Sequence, residues 1–120
     1  MPIVHITVTK KLSSQTKSDL MEHIAQEICA NTATLPKNIY VYIHEMEQEN
    51  VRKLAPTVLI DWTMMPDRKE DKKKIIMKSI HDKLAEIEPE LQDEIVVIFN
   101  DIPLSCAMLG GETRSDNPDK

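Results

Sequence analysis

Residues 20–28 read LMEHIAQEI, and 56 positions later residues 76–84 read IMKSIHDKL. In both stretches apolar side chains recur every three or four positions, which is the spacing of an amphipathic helix. These positions are Leu20, Met21, Ile24 and Ile28 in the first stretch, and Ile76, Met77, Ile80 and Leu84 in the second. The shared offset predicts that the chain contains the same helical unit twice.

Strands are predicted on both sides of each helix. Residues 3–9 (IVHITVT) and 58–63 (VLIDWT) precede the helices, and residues 39–45 (IYVYIHE) and 95–101 (IVVIFND) follow them. All four stretches are short and rich in β-branched residues, as strands are. The chain is therefore predicted to consist of two β-α-β units in tandem.

These units predict a single domain, residues 1–112, made of the pseudo-repeats 1–56 and 57–112 and followed by a polar tail, residues 113–120. A β-α-β unit places its two strands parallel and its helix on one face of them. The predicted fold is therefore α+β, with a four-stranded mixed sheet and both helices on one face. Ser13 or Ser14 is the predicted N-cap of the first helix, and Asp67, after Pro66, that of the second.

The opposite face of this sheet is predicted to be open. Side chains alternate along a strand, so every second residue of 39–45 is predicted to face the helices and the residues between them to face away. The side chains predicted to face away are Tyr40, Tyr42 and His44. An open sheet face in a small protein favours self-association.

The composition excludes several classes of function. With 41% hydrophobic residues and a net charge of -5, the chain fits a globular domain and not a nucleic-acid binder. The one basic run, Lys72–Lys74, is flanked by acidic residues and is predicted to be a solvated helix face. Gly110 and Gly111 are too few for a phosphate-binding loop. No apolar stretch reaches the roughly 20 residues of a membrane span.

Cysteine usage predicts the compartment. Cys29 and Cys106 are far apart, and the chain opens on a strand pattern instead of a signal peptide. This predicts a cytoplasmic protein with reduced, buried thiols. The cysteines and histidines lack the spacing of zinc ligands, so no metal site is expected.

The two ends of the duplicated region resemble a known family. The chain opens with Met1-Pro2-Ile3-Val4, and residues 107–112 read AMLGGE, with paired glycines. With the tandem β-α-β pattern, these features resemble the 4-oxalocrotonate tautomerase group of the tautomerase superfamily. Short members of that group are hexamers of one unit. Fused members, which include malonate semialdehyde decarboxylases, cis-3-chloroacrylate dehalogenases and the macrophage migration inhibitory factor group, are typically trimers.

The resemblance covers residues 1–112 and implies a tautomerase/MIF-like fold, a homotrimer and a catalytic role for Pro2. Removal of Met1 would leave Pro2 with a secondary amine, which an apolar pocket keeps neutral. Such an amine acts as a general base. The second unit has Val58 at the position 56 residues after Pro2, so one proline-based site per chain is expected.

The resemblance also implies a cation for the developing enolate or a substrate carboxylate. The family places an arginine just before the helix cap, where the first unit has Leu12 and the second unit, 56 positions later, has Arg68. Arg68 is therefore the predicted anion-binding residue. An exposed arginine at a helix start is the alternative.

Three further residues are predicted to bind substrate. Tyr40 stands where the family has an arginine on the second strand, and His44 and Asn100 occupy equivalent positions in the two units. For His44, packing at a sheet edge or interface is the alternative. Val51 and Ala107 replace the aromatic wall of the family. These departures argue against the dicarboxylate substrate of the named tautomerase, because a tyrosine cannot form the two parallel bonds of an arginine.

The leading hypothesis is an enzyme, a keto-enol tautomerase that moves a proton in an enol or 2-keto acid. Its partners would be a small carboxylic acid and further copies of the chain, with no cofactor, nucleic acid or membrane. One alternative is a decarboxylase, hydratase or dehalogenase of a three-carbon acid. Another is a non-catalytic trimer whose pocket has decayed.

Overall fold

The computed structural model describes residues 1–63 and 70–118. Its elements are β1 (Pro2–Val8), α1 (Ser14–Asn31), β2 (Tyr40–Glu45), β3 (Thr57–Thr63), α2 (Glu70–Ile87), β4 (Val96–Ile102), β5 (Met108–Leu109) and β6 (Glu112–Thr113). Short 3-10 turns lie at Pro36–Asn38, Gln48–Asn50, Pro89–Leu91 and Leu104–Cys106. The predicted turn at Pro66, the predicted cap Asp67 and the predicted anion site Arg68 all lie outside the described residues.

The strands β1 to β4 form one mixed sheet in the order β2-β1-β3-β4. β2 runs parallel to β1 and β4 runs parallel to β3, as expected when a helix connects the two strands. The two units meet at the centre of the sheet, where β1 and β3 are antiparallel. Both helices pack on one face of the sheet and against each other. This confirms the predicted fold class.

The core lies between the sheet and the two helices. It combines alternate residues of β1 and β3 with the apolar stripes of α1 and α2. Its most deeply buried members are Val4, Ile6, Val8, Leu20, Ile24, Ile28, Val58, Ile60, Trp62, Ile76, Ile80 and Leu84. Burial of each large aliphatic side chain contributes about 1.5–3 kcal/mol, so these stripes hold the helices on the sheet. Of the predicted stripes, Met21 and Met77 remain partly exposed.

Ser13 is the N-cap of α1, and its hydroxyl oxygen accepts a hydrogen bond of 3.1 Å from the backbone N–H of Thr16. The helices contact each other at equivalent positions, where His23 Nε2 and Ser79 Oγ share a hydrogen bond of 2.9 Å. Because these residues are 56 positions apart, the pseudo-twofold axis that relates the units passes between them. Within residues 1–63 and 70–118, no helix is long and apolar enough to cross a membrane.

The two units repeat with two different offsets. The helices begin 56 positions apart, and so do β2 and β4. In the strand ladders, however, Ile3 pairs with Tyr40 whereas Thr57 pairs with Val96, so β1 and β3 are related by 54 positions. Counted from equivalent positions in the strand ladders, Val8 and Trp62, the stretch that leads to α2 is therefore two residues longer than the stretch that leads to α1.

This difference changes the counterpart of Pro2. In the strand pairing Val58 corresponds to Val4, and the residue that corresponds to Pro2 is Pro56. Pro56 is buried, and its carbonyl accepts a hydrogen bond of 3.3 Å from the N–H of Val96. The expectation that Val58 replaces the proline was wrong, because a single offset was applied across a connection of unequal length. The nitrogen of Pro56 belongs to a peptide bond, so Pro2 alone of the two can become an amine.

The end of the described chain folds back on the β5–β6 hairpin. Gly110 and Gly111 form its turn with φ values of 60° and 84°, a left-handed conformation that favours glycine. Beyond the hairpin, Arg114 is buried and its guanidinium donates a hydrogen bond of 2.8 Å to the carbonyl of Pro118. The division of the chain at residue 112 remains a prediction.

The face of the sheet away from the helices is open, as predicted. The large hydrophobic side chains on it are 42–48% exposed, namely Tyr42, Leu59, Val96 and Ile98. The ring of His5 stacks against Tyr42 and lies nearly parallel to the ring of His44, with 5.1 Å between ring centroids in both cases. A contiguous apolar and aromatic surface therefore crosses all four strands.

Candidate functional site

Pro2 is the first residue of β1 and is buried. It pairs across the central ladder with Trp62, near the end of β3. The amino group of Met1 donates a hydrogen bond of 3.1 Å to Thr63 Oγ1, so the start of the chain is held against that strand end. The nitrogen of Pro2 consequently lies beside the end of the second unit's first strand.

A charged cluster, here called the Trp62 cluster, consists of Trp62, Lys73 and Asp101. The Trp62 indole N–H donates a hydrogen bond of 2.5 Å to Asp101 Oδ1, and the Lys73 ammonium donates one of 2.6 Å to Asp101 Oδ2. Lys73 also lies 5.9 Å from the Trp62 ring centroid, within cation–π distance, and its side chain is only 12% exposed. Pro2, Trp62 and Asp101 pair in one row across three strands, which brings the cluster to the Pro2 end of the sheet.

The first unit contains the same ion pair without the tryptophan. Lys17 and Glu45, each 56 positions earlier than the charged pair of the Trp62 cluster, form a salt bridge. The hydrogen bond from the Lys17 ammonium lowers the pKa of Glu45. Val8 corresponds to Trp62 in the strand pairing and has no polar atom in its side chain. The indole bond to Asp101 therefore has no equivalent in the first unit.

The Trp62 cluster was not identified from the sequence. The run Lys72–Lys74 was predicted to be a solvated helix face, which is wrong for Lys73 because this residue lies one helical turn before the buried stripe of α2. The signal that identifies the cluster is the offset of 56, since it relates Lys73 to Lys17 and Asp101 to Glu45. A lysine at the same helical position and a carboxylate at the same strand end predict one ion pair in each unit.

Tyr40 and Asn100 lie at the Pro2 end of the sheet but on its open face. They belong to one row across the four strands, in which Tyr40 pairs with Ile3, Ile3 with Asp61 and Asp61 with Asn100. The Asn100 amide donates a hydrogen bond of 2.9 Å to Asp61 Oδ1. Side chains alternate along β1, so Ile3 and Pro2 point to opposite faces of the sheet. Tyr40 and Asn100 share the row of Ile3 and face away from the helices, whereas the Trp62 cluster shares the row of Pro2 on the helix side.

His44 lies near the opposite end of the sheet from Tyr40. It pairs with Thr7 near the end of β1, and its Nε2 shares a hydrogen bond of 2.9 Å with Nδ1 of His5. Tyr40 and Asn100 lie on the two opposite edge strands of the sheet, and His44 lies four residues from Tyr40 along β2, so the structure does not bring the three predicted substrate-binding residues together within one chain. In residues 1–63 and 70–118 no group of three His, Cys, Asp or Glu side chains is arranged to hold a metal ion.

Apolar residues occupy the other positions at which the chain departs from the family, namely Leu12, Val51 and Ala107. Leu12 is buried in the core. Val51 and Ala107 end equivalent 3-10 turns, and both donate their N–H to the carbonyl three residues earlier. Cys106 is exposed and Cys29 is half-buried, so the predicted burial of both thiols was wrong. The cytoplasmic location stays a prediction.

Comparison with known proteins identifies a family whose model the chain matches and solved structures that are similar to it. The model of DUF5740, a family of unknown function, matches residues 3–95. No curated protein sequence matches the chain. Among solved structures the chain is similar to F6, a fused 4-OT described as a wild-type asymmetric trimer, with a TM-score of 0.81, 15% identity and coverage of 95% of this chain and 97% of that one.

Two further solved structures are similar. One is Pt0534 inactivated by 2-oxo-3-pentynoate, with a TM-score of 0.79, 18% identity and coverage of 95% of this chain and 97% of that one. The other is FG41 malonate semialdehyde decarboxylase inhibited by 3-bromopropiolate, with a TM-score of 0.73, 11% identity and coverage of 98% and 97%. These similarities confirm, at the level of the fold, the resemblance to fused members of the tautomerase superfamily.

The different surroundings of the two ion pairs predict different effects on stability. Asp101→Asn removes the charge that both Lys73 and the Trp62 indole contact, so we expect the free energy of unfolding to fall by about 2 kcal/mol. Glu45→Gln is the matched control, in a pair whose lysine is more exposed than Lys73 and which has no tryptophan, and a loss of about 0.5 kcal/mol is expected. Urea unfolding at pH 7 measures both changes. Equal losses would show that the buried surroundings of Lys73 do not strengthen its pairing with Asp101.

Proposed function

The chain belongs to DUF5740, a family of unknown function. We propose that it is a tautomerase acting on a small enol or 2-keto acid. After removal of Met1, the amine of Pro2 takes a proton from one carbon of the substrate and returns it to another. The observation that carries the proposal is the buried position of Pro2 at the start of the central strand, in a chain that shares its fold with a fused 4-OT and a decarboxylase.

The surroundings of Pro2 support its role as a base. A secondary amine accepts a proton only while it is neutral, and removal from water lowers the pKa of an amine because it disfavours the ammonium form. The Lys73 ammonium at the same end of the sheet acts in the same direction. Asp101 opposes part of this effect, since its carboxylate lies 2.6 Å from the Lys73 nitrogen.

Arg68 is the proposed site for the substrate carboxylate. The argument is its position in the sequence, 56 residues after Leu12 and just before α2, together with the ability of a guanidinium to bind a carboxylate through two parallel bonds. Lys73 is a second cation near the same end of the sheet. Because Asp101 already neutralises Lys73, Arg68 is the better candidate for binding a substrate carboxylate.

We also propose that the chain forms a trimer through the open face of its sheet. The side chains of Leu59 and Ile98 pair at the centre of this face and are each 42% exposed. Covering such a surface is favourable because it removes apolar area from water. The description of F6 as a trimer supports the same assembly for a chain of this fold.

A trimer also supports the proposed substrate-binding roles of Tyr40, His44 and Asn100. These side chains face away from the helix side of their own chain, so they are proposed to serve the Pro2 amine of a neighbouring copy. Tyr40 and Asn100 supply hydrogen-bond donors, and His44 supplies a donor or an acceptor according to its tautomer. The proposed site would therefore be complete only when copies of the chain assemble.

A second candidate function is favoured by Asp101. Hydration, dehalogenation or decarboxylation of a three-carbon acid by a protonated Pro2 requires cations together with a carboxylate that positions water or substrate. The Trp62 cluster places such a carboxylate in the row of Pro2, next to Lys73. Decarboxylation of 3-oxopropanoate without turnover of enol acids would favour this candidate over tautomerisation.

Pro2→Ala tests the proposed base. We expect kcat/KM for phenylenolpyruvate or 2-hydroxymuconate to fall at least ~100-fold, because the secondary amine is lost while an alanine still permits removal of Met1. Pro56→Ala is the matched control, since Pro56 has the same place in the second unit but no amine. It should keep activity within about threefold of the wild type once corrected for the folded fraction.

Mass spectrometry of the protein from cells completes this test, because the amine exists only if Met1 is absent. Retention of Met1 on an active protein would overturn the role of Pro2. Equal activity of Pro2→Ala and wild type would do the same. If no enol acid or three-carbon acid is turned over at all, the non-catalytic trimer becomes the better account.

Arg68→Ala tests the proposed anion site. We expect KM for the enol acid to rise at least ~10-fold with a smaller change in kcat, as for a group that binds substrate and transition state alike. Arg52→Ala, which removes an exposed arginine from the connection between the units, is the control and should leave both constants unchanged. An unchanged KM in Arg68→Ala would assign the carboxylate to another residue.

The proposed assembly predicts the solution mass. The wild type should have three times the 13.7 kDa mass of the chain in light scattering. Leu59→Asp puts a charge in the centre of the open face and should reduce the mass to that of a monomer. Ile75→Asp is the control, since Ile75 is similarly exposed but lies on α2. A trimeric Leu59→Asp variant would exclude this face as the interface.

A further inference from the structure

A cavity of about 470 Å³ lies at the opposite end of β1 from Pro2 and is here called the Glu88 cavity. Its walls come from the residues that follow β1, the connection that precedes β3 and the turn that follows α2. The side chains that decide its chemistry are Lys10, Lys11, Leu54, Glu88, Glu90 and Leu91. Its volume is within the range of about 300–1,000 Å³ that is typical of small-molecule sites.

Glu88 is the unusual member of this set. The residue is only 4% exposed, and its Oε2 atom has no hydrogen-bond partner among the described residues. Burial raises the pKa of its carboxyl group, and the neighbouring Glu90 raises it further, whereas Lys10 lowers it. An ionised carboxylate that is buried without a partner destabilises the fold, and a donor supplied by a ligand would relieve this cost.

Cations and apolar side chains complete the cavity. The Lys10 ammonium donates a hydrogen bond of 3.4 Å to the carbonyl of Ile87, which keeps its charge beside Glu88. Lys11 is exposed on the same wall. Leu54 is 44% exposed, and Leu91 is half-buried. The cavity thus presents acidic groups, basic groups and an aliphatic surface to one ligand.

We propose that the Glu88 cavity binds a small aliphatic α-amino acid, whose ammonium group pairs with Glu88 and whose carboxylate pairs with Lys10 and Lys11. A simple anion would be repelled by Glu88 and Glu90, and a simple amine would be repelled by the two lysines. A zwitterion satisfies both sets at once, and an aliphatic side chain covers Leu54 and Leu91. The site is separate from the proposed proline chemistry, so either proposal can fail without the other.

The test titrates the full-length protein with L-leucine at pH 7 and follows binding by calorimetry and by NMR shifts. Two probes of similar shape, 4-methylpentanoate and 3-methylbutylamine, each lack one of the two charges. We expect saturable binding of leucine that is at least ~10-fold tighter than that of either probe. Absence of saturable leucine binding, or equal binding of a singly charged probe, would overturn the proposal.

Glu88→Gln removes the negative charge with little change in shape and should weaken leucine binding at least ~10-fold. Glu86→Gln, two residues earlier and exposed, is the matched control and should bind leucine as the wild type does. Unchanged affinity in Glu88→Gln would contradict the proposed pairing.

Thermal unfolding without ligand separates a binding role from a structural one. A raised carboxyl pKa in the folded chain means that ionisation of Glu88 costs stability, and this cost grows as the pH rises above the ordinary value of 4.5. Glu88→Gln should therefore have a higher Tm than the wild type at pH 8, and the difference should vanish as the pH approaches 4. A lower Tm at pH 8 would show that Glu88 has a structural partner and would overturn the proposal.

Discussion

The antiparallel pairing of β1 with β3 is the constraint on which the rest of the structure depends. Each β-α-β unit alone has two strands and one helix, which is too little to bury the apolar stripe of that helix. When the two central strands pair, their inward-facing side chains and both stripes close into one core. The same ladder brings the start of the chain to the end of β3, which is why Pro2 meets Trp62.

The second consequence of this pairing is that the charged residues of one unit lie near the terminus of the other. Both units contain a lysine on the helix that is paired with a carboxylate at the end of the second strand. Only in the second unit does a tryptophan bind that carboxylate and cover the lysine. The ion pair is thus repeated in both units, but its lysine is covered by a tryptophan only at the Pro2 end of the sheet.

The repeating parts of this molecule could be predicted from the sequence, because apolar spacing determines which face of a helix or strand is buried. An offset of 56 therefore located both helices and the outer strands. It misassigned the counterpart of Pro2, since equivalence in a sheet depends on strand pairing, and the pairing assigns Pro56 to that role. The burial of Lys73 depends on neighbours in space, which spacing alone does not specify.

The pseudo-twofold symmetry relates the two ends of the sheet, but the residues at these ends differ in their chemistry. One end holds Pro2 next to the largely buried Lys73 and its carboxylate partner Asp101. The other end holds Pro56, whose nitrogen is fixed in a peptide bond, and there the connections form the Glu88 cavity with its buried acid. Because Pro56 lies inside the chain, duplication of the unit does not duplicate the proposed amine. The second end is free to keep the fold while acquiring groups of different chemistry.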